Sequence, residues 1–256
     1  MLWVLQSNFY SEHGYDRLAE FLDRCDIPRQ TVKPVPHTDR LVPDDADTSK
    51  GLDVDATPEP GIRMDCGGIV TCGSYTLAKI AVKRGWAPGA WINNLSYDIW
   101  GSAWDKDMLL NPDARQCSFG EADFDDDHAF IRPVEDTKSF SGKVYDRNEW
   151  QAWKARVLDT SKGKALIDPE MKVLVAAPRN DIHTETRFVI VDGNIVTCSG
   201  YKRGSLVLYT EEAFVDQEVI DFARRVIAAW CPNRAFVVDI AQTDQGPLVV
   251  EVNCVN

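Results

Sequence analysis

The sequence lacks any apolar run approaching the ~18 residues that a membrane-crossing helix needs, so no span is expected. It also lacks an excess of basic residues. With 28 Lys and Arg against 40 Asp and Glu, the formal net charge is -12. A nucleic acid as main partner is thereby disfavoured, because a phosphate backbone requires a basic footprint. A local basic pocket for a nucleotide remains compatible with that charge. No CxxC pair occurs. The seven cysteines (Cys25, Cys66, Cys72, Cys117, Cys198, Cys231 and Cys254) are odd in number and widely spaced. They indicate neither a zinc site nor a redox motif, and suit small buried hydrophobes in a reducing cytosol. The opening MLWVLQSNFY has no basic n-region and no long apolar h-region, so no signal peptide is expected. No internal repeat is visible. What is present is 256 residues, 44% hydrophobic and 27% charged, enough for one large domain or two modest ones with a sizeable core. Nothing in this composition bears on oligomeric state.

The first half reads as α/β. MLWVLQ is a buried strand, and GYDRLAEFLDRC an amphipathic helix with Leu18, Phe21, Leu22 and Cys25 on one stripe. Residues 28–60 are rich in Pro, Asp and Thr and read as a loop with short extended pieces. CGGIVTCGS is a strand ending at Gly73-Ser74. SYTLAKIAVKRG is a helix with Ser74 as N-cap and Gly85 just past its end. Trp86, Trp91, Trp100 and Trp104 suit a small core better than a cleft lining. The acidic run EADFDDDH, residues 121–128, marks a boundary between an N-terminal domain of residues 1–124 and a second domain of residues 125–256.

The second half reads as α+β, antiparallel strands with helices against one face. Its strands are HAFIRPV, a segment around Val144, MKVLVAAP, and ETRFVIVDGNIVTCSGY with a hairpin turn at Asp192-Gly193-Asn194. Its helices are NEWQAWKARVLD, with Trp150, Trp153 and Val157 inward, and TEEAFVDQEVIDFARRVIAAW, with Val219, Phe222, Val226 and Trp230 inward. It closes on a hairpin of FVVDIA and PLVVEVN around TDQG.

A ladder centred on Gln245 sets Asp239 opposite Glu251. Alternation then gives one face Val237, Asp239, Ala241, Val249, Glu251 and Asn253, and the other Val238, Ile240, Leu248, Val250 and Val252. Two carboxylates and an amide gather on the first face. Side by side they repel, and a divalent cation removes the repulsion; oxygen donors of this kind suit Mg²⁺. The alternative is a solvated outer face.

Other polar groups collect at strand ends. Arg132 ends one strand, and the following loop holds Thr137, Lys138, Ser139, Ser141, Gly142 and Lys143. Small residues let backbone N–H groups approach phosphate, and Lys or Arg neutralises it. VLVAAP is an apolar strand whose main chain suits an adenine ring. Glu185 and Arg187 share a strand face, and Lys202 follows in GYKRGS. Each has an ordinary alternative: a salt bridge for Arg132, solvated loop lysines for Lys138 and Lys143, and a surface pair of little worth for Glu185 and Arg187.

Taken in order, FIRP with TKSFSGK, then ETRFV, GYKRGS and Asp…EVN, the second half resembles the ATP-grasp superfamily of carboxylate–amine ligases. It looks most like a small clade found in bacteria and their phages and named for an arginine and two lysines. CGGIVTCGSYTLAKIA and the WAPG segment look like the pre-ATP-grasp domain. The resemblance implies ATP and Mg²⁺ as cofactors. It implies Asp239, Glu251 and Asn253 as metal ligands, and Arg132, Lys138, Lys143 and Lys202 near the nucleotide phosphates. Val173, Val175 and Ala176 match the adenine hinge, and Arg187, Glu185 and Arg132 the catalytic positions. The implied activity is a cytoplasmic, ADP-forming ligase that joins a carboxylate to an amine, either being a small molecule or a protein. A kinase stopping at phosphoryl transfer and a nucleotide-binding protein without turnover are the alternatives.

Overall fold

The computed structural model describes residues 1–7, 13–35, 38–46, 57–63, 67–91, 95–135, 139–160, 165–204, 206–211 and 214–255. The chain divides into two units, Met1–Ile92 with Val255–Asn256, and Asn93–Cys254.

In the first unit the elements run β1 (Leu2–Gln6), α1 (His13–Arg24), β2 (Arg29–Pro34), β3 (Leu41–Pro43), β4 (Ile69–Cys72), α2 (Tyr75–Lys83) and β5 (Pro88–Gly89). They form a sheet of order β3-β2-β1-β4-β5, parallel except for the antiparallel β2–β3 pair. Its core is Val4, Val32, Leu41, Ile69, Leu77 and Ile80, with Trp86 beside them. The Pro-rich stretch expected to be mostly loop thus supplies a six-residue strand, because Val32 is fully buried against its neighbours. On α1, Leu22 is buried, whereas Phe21, and Cys25 just past the helix end, both expected inward, are exposed. Ser74 does precede α2, but its side chain makes no capping bond; its backbone N–H donates to Gln6 Oε1 at 2.9 Å. Gly73 permits that approach, since a Cβ there would lie 2.6 Å from the Gln6 Cβ.

In the second unit the elements run α3 (Tyr97–Trp100), β6 (Arg115–Ser118), β7 (His128–Pro133), β8 (Lys143–Asp146), α4 (Arg147–Leu158) and β9 (Lys172–Ala176). They continue with β10 (Ile182–Val191), β11 (Asn194–Arg203), β12 (Leu206–Thr210), α5 (Gln217–Ala229), β13 (Ala235–Thr243) and β14 (Gly246–Asn253). Two antiparallel sheets result, a smaller one of order β6-β9-β7-β8 and a larger one of order β12-β11-β10-β13-β14. The acidic run at 121–128, read as a boundary, lies inside this unit: Ala122 O accepts from Trp150 Nε1 and Lys154 Nζ, each at 2.9 Å.

The smaller sheet is packed by α4 through an aromatic cluster. Trp150 is fully buried, with Phe119, Tyr145 and Trp153 at centroid distances of 5.3, 5.0 and 5.5 Å. Asp146 caps the helix by accepting from the N–H groups of Asn148 and Glu149 at 2.8 and 3.2 Å. On the larger sheet α5 lays Val219, Phe222, Ala223 and Val226 against Phe188, Ile190, Phe236 and Val238. This helix is shorter than its sequence pattern, starting after Asp216, and the residues before it include the unforeseen edge strand β12. Trp100 and Trp104 belong to the same core, as expected. The cysteines conform less well. Of the described ones only Cys198 is buried, while Cys66 lies outside the described residues.

The β10–β11 turn is Asp192-Gly193 with φ of 49° and 74°, the left-handed pair that a two-residue hairpin requires. In the closing hairpin Asp239 opposes Glu251, as expected, but the ladder then slips. Ile240 pairs with Val249 and Thr243 with Gly246. Val250 is the extra residue of a β-bulge, which sends following side chains to the opposite face. Val249 therefore packs in the core with Ile240 and Val252, and Leu248 lies across the sheet with Ala241 and Leu110. Strict alternation had assigned these two to each other's faces.

Trp150→Ala removes the centre of the aromatic cluster and one of the two donors to Ala122 O. It is expected to cost about 3–5 kcal/mol in urea unfolding followed by tryptophan fluorescence.

Candidate active site

Three neighbouring strands of the larger sheet set the charged groups in line. Asp239 on β13 lies between Arg187 on β10 and Glu251 on β14. Its carboxylate is wholly inaccessible. The Arg187 guanidinium satisfies it with a fork, Nε to Oδ1 at 2.9 Å and Nη2 to Oδ2 at 2.7 Å. Asn253 Nδ2 donates to Glu251 Oε1 at 2.8 Å and, more loosely, to Asp239 Oδ2 at 3.4 Å. Arg132 reaches in from β7 of the smaller sheet, its Nη1 3.0 Å from Glu251 Oε2 and its guanidinium 5.7 Å above the Trp100 ring.

The two carboxylates titrate differently. Burial pushes the Asp239 carboxyl up to about 6, against the opposing pull of Arg187. The bond to this carboxyl holds Arg187 above its ordinary value. Burial also pushes Glu251 up, but the Arg132 charge and the Asn253 bond outweigh it, and the carboxyl ends below its usual range.

A second group sits beside the first. Glu185 on β10, 7% exposed, accepts from the Tyr201 hydroxyl at 2.6 Å through Oε2 and from Lys202 Nζ at 2.5 Å through Oε1. Neighbours on a strand should point to opposite faces. Here β11 bulges, with Lys202 opposite Glu185 and Gly200 opposite Thr186, so Tyr201 is the extra residue. Burial, with the Asp239 and Glu185 charges adding to it, holds the Tyr201 phenol above its usual pKa, so it donates. The ring also lies 5.3 Å from the Arg187 guanidinium carbon. Glu185 therefore serves Tyr201 and Lys202, not Arg187 as their spacing in sequence suggests.

Most of these groups, though not Arg187 or Asp239, line a cleft of about 820 Å³, within the size range of small-ligand and cofactor sites. Arg132, Glu185, Tyr201, Lys202, Glu251 and Asn253 line it, with Gly142 from the loop before β8 and Lys143 at the start of that strand. Gly142 presses on β7, where a Cβ would come 2.8 Å from that of Arg132. Lys143 reaches the cleft from an exposed position and pairs with Glu149 at 2.6 Å. Lys138 lies outside the described residues. Val173 and Val175 are buried in the core of the smaller sheet and Ala176 is half-buried. The cleft wall on this segment runs from Ala177 to Arg179 and Asn180. The Arg179–Asp181 pair, bonded at 2.9 and 2.5 Å, was not foreseen, nor was Tyr201. The signal for Tyr201 was its place beside Lys202, masked by the bulge.

Among the described residues no three of His, Cys, Asp or Glu gather around one point. A cation at Asp239, Glu251 and Asn253 would have two carboxylates and one amide, which is a hard oxygen set. By residue type that suits Mg²⁺, which takes one or two carboxylates and leaves much of its shell to water and phosphate; loading it would require an Asp239 oxygen to leave the Arg187 fork and the Asn253 amide to turn its oxygen inward.

Residues 29–256 match the model of an ATP-grasp domain family, the third family of its clade. The chain belongs to this ATP-grasp family. Solved structures agree in fold. An ATP-grasp RimK domain protein from Sphaerobacter thermophilus is 15% identical with a TM-score of 0.61, over 100% of this chain and 92% of that one. D-alanine–D-alanine ligase from Bacillus anthracis, in complex with ATP, is 14% identical with a TM-score of 0.57, over 98% and 85%. D-cycloserine synthetase DcsG is 14% identical with a TM-score of 0.55, over 100% and 92%. No curated protein sequence matches the chain. The expected ATP-grasp fold, mixed α/β with antiparallel sheets and helices, is thus borne out. Among the described residues no helix is long and apolar enough to cross a membrane.

Arg187→Ala leaves the Asp239 carboxylate buried without its fork. The guanidinium is about half exposed, so the expected loss is about 2–3 kcal/mol, below that of a fully buried pair. Arg187→Met combined with Asp239→Leu should lose less than the single variant in the same urea titration.

Proposed function

We propose that this ATP-grasp chain is an ATP-dependent ligase that joins a carboxylate to an amine, with an amino acid, peptide or protein as substrate. The observation that carries the reading is the row Arg187–Asp239–Glu251 beside a nucleotide-sized cleft, with Arg132 and Lys202 at its borders. The family match and the ligases among its structural neighbours support it.

In this reading a carboxylate oxygen of the acid attacks the γ-phosphorus of ATP and ADP leaves. The amine nitrogen then attacks the acyl carbon of the resulting acyl phosphate, phosphate departs, and the amine sheds a proton to solvent. Little covalent work falls to the protein; it positions groups and neutralises charge. Arg132 and Lys202 hold phosphate oxygens, with Lys138 or Lys143 closing over them. One of those loop residues is then a lysine of the pair for which the clade is named. Arg187 is already fixed by Asp239, and its remaining N–H groups face the charge that grows on the transferring group, where preorganised donors count most. Glu185 acts through Lys202. The strand Val173–Ala176 supports the adenine, with main-chain groups near Ala177 at the wall. Asp239, Glu251 and Asn253 would hold Mg²⁺, which when bound supplies positive charge to the phosphates. The site of action is a bacterial or phage-infected cytoplasm.

The test is ADP release from Mg·ATP with pooled amino acids and small carboxylic acids, wild type beside Glu251→Ala. Release that requires both an acid and an amine, and is abolished in a variant with unchanged near-UV circular dichroism, is expected. Release without any amine would replace the ligase with a kinase, and full activity of Glu251→Ala would remove the metal assignment.

A further inference from the structure

Tyr201 makes two contacts of different kinds. Its hydroxyl donates to Glu185 Oε2 at 2.6 Å, and its ring lies against the Arg187 guanidinium at 5.3 Å. Glu185 in turn holds Lys202 through its other oxygen. The bulge in β11 makes this possible, setting Tyr201 and Lys202 together opposite one residue of β10. A buried carboxylate with both oxygens engaged by a phenol and an ammonium is an anchor, not a free base. Arg187 has Nε and Nη2 committed to Asp239, and its side chain is about half exposed. A face-on ring limits the rotamers such a side chain samples, and so fixes where its uncommitted edge points.

We propose that Tyr201 is a positioning residue that holds Lys202, which lines the cleft, and Arg187 behind it in one fixed relation. The hydroxyl sets Lys202 through Glu185, and the ring sets Arg187. Lys202 belongs to ground-state binding of the nucleotide, and Arg187 to the charge developing in transfer. The two contacts therefore govern different constants. The kinetic consequence rests on the ligase reading, and the binding consequence only on its placement of the nucleotide phosphates at Lys202.

Phenylalanine keeps the ring and removes the hydroxyl, and leucine removes both. Affinity for Mg·ATP is measured by calorimetry, and kcat and KM by ADP release, for wild type, Tyr201→Phe and Tyr201→Leu, each with its thermal midpoint. Tyr201→Phe is expected to weaken Mg·ATP binding about tenfold and to raise KM more than it lowers kcat, as befits one lost bond to a charged group. Tyr201→Leu should bind as weakly and lose about a further tenfold in kcat. Wild-type affinity in Tyr201→Phe would overturn the role of the hydroxyl, and equal kcat in the two variants that of the ring. Wild type that binds Mg·ATP without releasing ADP would sink the ligase reading alone, and the affinity of Tyr201→Phe would still decide for or against the hydroxyl. Wild type that does not bind Mg·ATP would overturn both.

Discussion

The fork between Arg187 and Asp239 is the contact on which the rest of the site depends. An isolated carboxylate without solvent access would be prohibitively costly, so a cation must come with it. Once β10 and β13 are paired to bring Arg187 opposite Asp239, the neighbouring groups fall into sequence. Glu251 is next along the ladder, Asn253 bridges the two acids, and Arg132 covers the outer one. On the other side Tyr201 lies on Arg187, Glu185 accepts from Tyr201, and Lys202 ends the row. Signs alternate nearly throughout, and the only two like charges in succession, Asp239 and Glu251, are separated by an amide and flanked by arginines. Their proton affinities diverge as a result, upward for the acid shut away from water and downward for the one beside Arg132.

Much of this was legible in the sequence where period-two alternation holds. The opposition of Asp239 and Glu251, the Asp192-Gly193 turn, the inward face of α5 and the core tryptophans follow from spacing and turn chemistry alone. The failures cluster at two bulges. Each inserts one residue; nothing beside Val250 announces it, and the only hint at Tyr201 is the preceding Gly200. The first exchanged the faces of Leu248 and Val249. The second concealed that Tyr201 and Lys202 share a partner. Partner choice was also hidden: Arg187 stands two residues from Glu185 yet bonds across the sheet, a long-range outcome that local spacing does not encode. The acidic run at 121–128 misled for a related reason. Its charges face solvent, while the carbonyl of Ala122 is fixed by Trp150 from a helix far along the chain.

The smaller sheet contributes less chemistry but sets a boundary. Its strand β7 is clamped between β8 and β9 and backed by the aromatic cluster on α4, so Arg132 projects from a stiff support. The loop between β7 and β8 is held close to that support at Gly142, where a larger residue would collide with Arg132.

The Arg132–Glu251 pair, which joins the two sheets of this unit across the cleft, has a consequence for how the cleft fills. An anion entering alone would compete for Arg132 and leave Glu251 with the Asn253 amide alone; a cation entering alone would draw Glu251 away from Arg132. A ligand that brings both signs together lets each partner trade one counter-ion for another, with no moment at which a half-buried charge stands alone. Because removing one partner of a part-buried ion pair costs more than exchanging both, a guest carrying both signs would disturb the pair less than a guest of a single sign.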